Sequence, residues 1–245
     1  MQKIIAIFFS LFALSLAYAQ NSTSLKYVCV DMPFYMQEDE KGDHSGLLVD
    51  IFKKTAKEAG YNNIHISLEP APRMIESIIS GKAHVWNGIV LPAIQDHVYI
   101  GDAPIAHITL AVFYKGERQE IKSIKDLKGK TVIIIRGFSY GGLLKEIKDP
   151  TNQINIMETN SHVSALNMLK FKRGDYLLDY LEPLKTYDYK AIVPNLNYSA
   201  LNIFESYFMV SKKAPFAKTI MSKLNKAYKD LVKKNELPAF SPLKK

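Results

Sequence analysis

The chain has one cysteine in 245 residues, Cys29, so no internal disulfide framework can staple it. It has one long apolar run, residues 4–17, and no second one follows, so nothing downstream reads as a membrane span. No cysteine stands directly after that run, and a lipid-anchored start is not indicated. The six histidines (44, 65, 84, 97, 107 and 162) are scattered, with no helical pair and no cysteine partner. A structural zinc site is therefore excluded, and no metal is expected. The glycine-rich stretch 137–142 lacks a following Gly-Lys-Ser/Thr, which excludes a P-loop. A hydrophobic share of 47% excludes global disorder.

What is present begins with Lys3, the apolar run, and Ala17-Tyr18-Ala19 before Gln20. A positive start, a short apolar core and a small-x-small site read as a secretory signal peptide, residues 1–19; the alternative is an uncleaved anchor. Removing 19 of 245 residues leaves 226, enough for one large domain or two small ones. Secretion places the product outside the cytoplasm, where Cys29, inside the strand-like Tyr27-Val28-Cys29-Val30, is expected to be buried rather than reactive. The formal charge of +8 invites a nucleic-acid or membrane partner. Its lysines, however, concentrate in 122–130, 145–148 and 212–234, on helices with apolar stripes, and read as solvated faces. No nucleic-acid motif accompanies them, so no nucleic-acid partner is expected.

The patterning alternates. Residues 26–32, 64–68 and 83–90 read as strands. Between them lie helices over 47–59, stopped by Gly60, and from Pro72, stopped by Gly81. Residues 108–114 form a further strand. The rhythm then restarts with a strand over 131–135, a glycine-rich turn, a short helix over 143–147 and a strand over 155–158. A helix capped by Ser161 follows, then strands over 175–180 and 206–211 and a last helix opened by Pro215. Two βαβ-based halves predict an α/β protein of two lobes with a mainly parallel sheet. Because α/β sheets bind ligands beyond the carboxyl ends of their strands, a cleft between the lobes is the natural site.

The order of motifs carries a resemblance: Pro33-Phe34-Tyr35, Gly46-Leu47-Leu48-Val49-Asp50, Ile79-Ser80-Gly81-Lys82-Ala83, Asp126-Leu127-Lys128-Gly129-Lys130, Arg136-Gly137-Phe138-Ser139 and Lys172-Arg173-Gly174-Asp175. From about residue 25 to 234 the chain resembles the extracellular solute-binding proteins of family 3, the type II periplasmic binding proteins of polar amino acid ABC transporters. The resemblance implies two lobes joined by crossover strands near 109–114 and 201–206. Lobe 1 would take residues 25–109 plus 205–245, lobe 2 residues 110–204, and hinge closure would trap the ligand. It implies a monomeric, periplasmic, non-enzymic protein without a cofactor that hands a small polar solute to a permease in the inner membrane. A dehydratase-like enzyme on the same fold and the ligand-binding subunit of a membrane sensor are the alternatives.

The residues expected at the ligand are these. The turn Arg136 to Gly142 offers backbone N–H groups before a helix, where similar proteins hold a carboxylate; Arg136, Ser139 and Tyr140 go with it, although Arg136 can also point to solvent. Phe34 and Tyr35 stand where similar proteins stack an aromatic, the alternative being core packing. Trp86 and Asn87 end the third strand, as a wall and a hydrogen-bonding group, or Trp86 fills the core. Arg73 opens a helix whose dipole it opposes, so either an anion in the cleft or a salt bridge to Glu69 or Glu76 holds it. Asp179 matches the ammonium-binding aspartate of similar proteins, but one residue early, which leaves Tyr180 at the functional position. The departure is in residues 91–104, where the carboxylate-binding arginine of amino-acid binders is missing. Gln95 stands nearest, and it cannot replace a bidentate guanidinium.

Overall fold

The computed structural model describes residues 24–243; the signal-peptide reading of residues 1–19 lies outside them. Strands β1 (Leu25–Cys29), β4 (Ile64–Leu68) and β5 (Val85–Ile89) alternate with helices α1 (Leu47–Glu58) and α2 (Ala71–Ser80). A small hairpin of β2 (Gln37–Glu38) and β3 (His44–Ser45) projects between β1 and α1, and β6 (Val98–Ile100) follows β5. The long β7 (Ala106–Lys115) then leads into a second set: β8 (Thr131–Ile135), α3 (Leu144–Ile147), β9 (Asn155–Thr159), α4 (His162–Lys170) and β10 (Tyr176–Tyr180). The short helices α5 (Leu181–Lys185) and α6 (Tyr189–Ile192) precede β11 (Leu196–Ser211), and α7 (Ala217–Lys233) closes the chain.

One nine-stranded sheet runs through the described residues in the order β4-β1-β5-β11-β7-β10-β8-β9, with β6 also on β11. Neighbours within each βαβ set are parallel. The strands joining the sets are antiparallel: β11 on β5 and β6, β7 on β11, and β10 on β7. The sheet is therefore mixed, not mainly parallel, because a chain that enters and leaves the second half must pass back alongside itself. β7 and β11 are those passes. They pair over residues 106–115 and 196–206 with a bulge at Ala200/Asn202, covering the segments where crossovers are expected. This is the two-lobed α/β architecture the sequence predicts.

Local chemistry explains the element ends. Helix α1 has no side-chain cap; its free N–H groups at Leu47 and Leu48 donate to the carbonyls of Phe34 and Tyr35. The loop must come close for that, and Gly46, at φ 113°, permits it: a Cβ there would lie 2.6 Å from the Tyr35 carbonyl oxygen. Phe34 and Tyr35 are thereby pinned to the start of α1. Helix α2 follows Pro70 and stops at Gly81 in the left-handed region; α4 is capped by the Ser161 hydroxyl accepting from Ser164 N–H. The last helix starts at Ala217 rather than Pro215, with Phe216 in the left-handed region before it. Cys29 is fully buried, its thiol donating to the Ser67 carbonyl, and burial pushes its pKa up to about 12.

In the second half, Asp175 joins two strands. Its carboxylate accepts from Thr131 N–H at 2.9 Å and from Arg118 at 3.0 Å, and the Thr131 bond holds its pKa below the ordinary 3.8. Asp175→Ala should cost about 1 kcal/mol in urea unfolding at pH 7, the figure for a charged hydrogen bond discounted for solvent screening. A depressed carboxyl stabilises above its unfolded pKa and loses that contribution as pH falls through its native value. The gap between wild type and variant should accordingly close below about pH 4.

Candidate functional site

The carboxyl ends of the parallel strands from both halves face one cleft, as open α/β sheets predict. Its outer part encloses about 350 Å³. Asp31 after β1 and Glu69 to Pro72 between β4 and α2 line one side; Arg136 to Phe138 after β8, Asn160 to His162 after β9, and Tyr187 line the other. A smaller inner chamber of about 60 Å³ shares Val30, Ala71, Gly137 and Phe138 with it. Met32, Met36, Met74, Trp86, Leu91 and Ile108 form its apolar walls, and Ser139 and Tyr180 also border it. A larger hollow, about 720 Å³, lies elsewhere, along α7 beside Tyr99 and Asp102. Its lysines are partly neutralised there, Lys229 by Asp102 and Lys226 by Asp230, and none of the parallel strands ends in it.

The structure brings some expected residues to the cleft and gives others different tasks. Trp86 is 4% exposed and lines the chamber, and its ring N–H is buried with no partner among the described residues. Gly88 follows at φ 157°, where a Cβ would sit 2.6 Å from the indole, so only glycine leaves that ring its place. Ser139 and Tyr180 border the chamber; the Tyr180 hydroxyl accepts from Gly141 N–H, and burial drives its pKa well up. Arg136 lines the mouth, but its Nε lies 3.2 Å from Glu158, which also holds Lys148 at 2.6 Å.

Asn87 is fully buried: it accepts from the Tyr27 hydroxyl at 2.5 Å and donates to the Leu48 carbonyl at 2.9 Å. Tyr35 is equally buried, its hydroxyl donating to the His107 carbonyl, while Phe34 stands 43% exposed with its ring edge-on to Tyr35. Tyr140 is buried; its hydroxyl accepts from Ile135 N–H at 2.6 Å and returns a bond to the Ile135 carbonyl, so it braces its own turn. Behind that turn α3 has only four residues, too short for a helix dipole to matter. Arg73 is exposed outside the lining residues, and no salt bridge to Glu69 or Glu76 forms; Glu69 instead accepts from Ser77.

Asp179 has no exposure at all. It accepts from Tyr180 N–H and meets His162 Nδ1 at 2.7 Å. Burial raises its pKa, and the His162 bond works against that rise. His162 lines the mouth between Phe138, 5.8 Å away, and Tyr187, 6.1 Å away. With Asp179 holding Nδ1, the Nε2 edge is left for a ligand. Phe138 also meets Tyr140 and Tyr180, so one ring links both parts of the cleft. Sequence reasoning missed Asp31, Phe138, His162, Tyr187 and the three methionines. Phe138 and His162 carried a signal, since each lies within three residues after a parallel strand.

An interlobe cleft at the carboxyl ends of two βαβ sets, backed by two antiparallel crossover strands, defines the type II periplasmic-binding-protein fold. Comparison with known proteins agrees. No protein-family model matches the chain. It is 27% identical over 136 residues to the probable amino-acid-binding protein YxeM of Bacillus subtilis (strain 168), a match covering 56% of this chain and 51% of that protein. The matched region thus spans about half of that relative's length. Among solved structures, an ancestral arginine-binding protein bound to arginine superposes with a TM-score of 0.70 at 20% identity, covering 87% of this chain and 94% of that one. A histidine kinase sensor domain with similarity to periplasmic binding proteins gives 0.72 at 18% identity, covering 88% and 92%. At such identities the shared property is the fold. Among the described residues, no helix is long and apolar enough to cross a membrane.

Proposed function

We propose that the chain is a solute-binding protein of the family 3 type, exported to the periplasm, which captures an amino acid or related small solute and delivers it to an ABC transporter permease. The observation that carries this reading is the cleft itself, lined from both halves of the sheet and backed by β7 and β11. Lobe 1 is then residues 25–109 plus 205–245 and lobe 2 residues 110–204, with closure about the crossovers. One chain supplies both walls, so a monomer suffices, and no cofactor or catalytic step is needed. The test is a thermal-shift screen of the protein, unfolded and refolded to strip bound solute, against amino acids, dicarboxylates, sugars, polyamines and prephenate-like acids. A ligand at 100 times its Kd adds about 2.7 kcal/mol, a rise of roughly 5–10 °C for a chain of this size. Since Trp86 is the only tryptophan, the same ligand should change its emission saturably; a panel without any response would sink the reading.

A second reading, the ligand-binding part of a membrane sensor, is favoured by the likeness to a kinase sensor domain. It uses the same cleft. Permease and ATPase genes beside this one would favour transport, and a histidine kinase gene would favour sensing.

A further inference from the structure

The cleft is divided by chemistry. Its inner chamber presents thioether, indole and aliphatic walls, and its lining contains no charged residue. Two of the polar groups there are engaged, the Asn87 amide on Tyr27 and Leu48 and the Tyr180 hydroxyl on Gly141, and the Ser139 hydroxyl borders the chamber beside Phe138. The Trp86 ring N–H remains as a buried donor without a partner. The mouth is different. Asp31 and Glu69 face it from one lobe and Tyr187 from the other; burial raises the Tyr187 pKa, and the Asp31 charge across the cleft adds to that rise. Facing them, Arg136 is engaged by Glu158 and His162 by Asp179.

Apolar walls favour burial of an apolar group and penalise a charged one. Adaptable methionines suit a chain of variable shape. Two carboxylates on one side of the mouth favour a cationic head there, while Arg136 on the other side shares Glu158 with Lys148. Resting on the solute-binding reading above, we propose that the ligand is a small amphiphile bound tail-first. Its apolar body fills the methionine-lined chamber and its ammonium group sits at the mouth beside Asp31 and Glu69. The ligands that fit are apolar amino acids and the corresponding amines, not the strongly polar ones.

The test is a titration followed by Trp86 emission and confirmed by calorimetry, on the refolded wild type and on Asp31→Asn, an exposed position whose change should leave the fold intact. The probes are phenylalanine, leucine, phenethylamine, 3-phenylpropionate, arginine and glutamate. The expected result is saturable binding of phenylalanine or leucine and of phenethylamine, at least tenfold tighter than arginine or glutamate. 3-Phenylpropionate should not bind, and Asp31→Asn should weaken phenethylamine about tenfold. Arginine or glutamate binding as tightly as the apolar probes would overturn the tail assignment while leaving the solute-binding reading in place. Equal binding of 3-phenylpropionate, or an unchanged Asp31→Asn, would overturn the head assignment. Silence from all six probes, with a thermal-shift response to some other solute, would overturn the amphiphile alone; silence in both assays would remove it together with the reading beneath it.

Discussion

His162→Ala should be among the most destabilising single changes in the second half of the molecule, costing about 3–5 kcal/mol at pH 7 because it strands a carboxylate with no exposure. For a chain of this size that is a fall in Tm on the order of 10 °C. The sign with pH follows from Asp179. Burial raises its pKa in the folded state, so the folded protein binds this proton more tightly than the unfolded chain. Stability tied to a raised carboxyl is greatest on the acid side and is lost as pH climbs from the ordinary carboxylate range through the native value. The variant, deprived of the His162 bond that opposes the rise, should therefore recover part of its deficit on acidification. Urea melts of wild type and variant at pH 4.5 and pH 7 measure this; a deficit independent of pH would show that Asp179 is not left ionised and alone.

Asn87→Ala should cost about 1–3 kcal/mol, because it leaves the buried Tyr27 hydroxyl without its acceptor and removes the second bond to the Leu48 carbonyl, which keeps its helical one. The Tyr27 ring stacks on Phe52 at 4.0 Å, and Phe52 lies on the buried face of α1, so the loss should spread through the first lobe. The result separates two roles. A residue that binds ligand loses affinity on truncation and leaves Tm almost unmoved. A residue that ties β5 to α1 lowers Tm and, when the variant is held folded at low temperature, keeps affinity within a few-fold. The structure predicts the second outcome, and calorimetric titration beside thermal melts checks it.

The architecture was legible because the alternation of buried strands and amphipathic helices is a local signal, and Gly60, Gly81 and Ser161 punctuate it as their chemistry requires. The first five residues of β11 do not read as strand, because Leu196 to Ala200 is mostly exposed or half-buried and shows no clean period of two; only the resemblance marks 201–206 as a crossover strand. The site was less legible for a reason visible in β10. Neighbouring residues of a strand point to opposite faces, so an offset of one residue sends Asp179 into the core against His162 and leaves Tyr180 at the chamber. Tyr140 illustrates the same limit: a phenol near a strand end reads alike whether it meets a ligand or the backbone of its own turn. The Met32, Met36 and Met74 wall is assembled from two distant segments, and spacing along the chain does not encode it.

The position of β11 between β5 and β7 also sets the order in which the molecule can become whole. Strands β7, β10, β8 and β9 come from one uninterrupted stretch ending at Tyr180, so their half of the sheet can pair as soon as that stretch exists. The β4-β1-β5 half waits for residues 206–211 to supply its inner neighbour, and for α7 to cover it. Contacts of such long sequence separation are slow to form, because the loop must close before the pairing rewards it. A nascent chain therefore carries an unfinished first half until residues 206–233 have been made, with the strand edge of β5 open to other partners in the meantime.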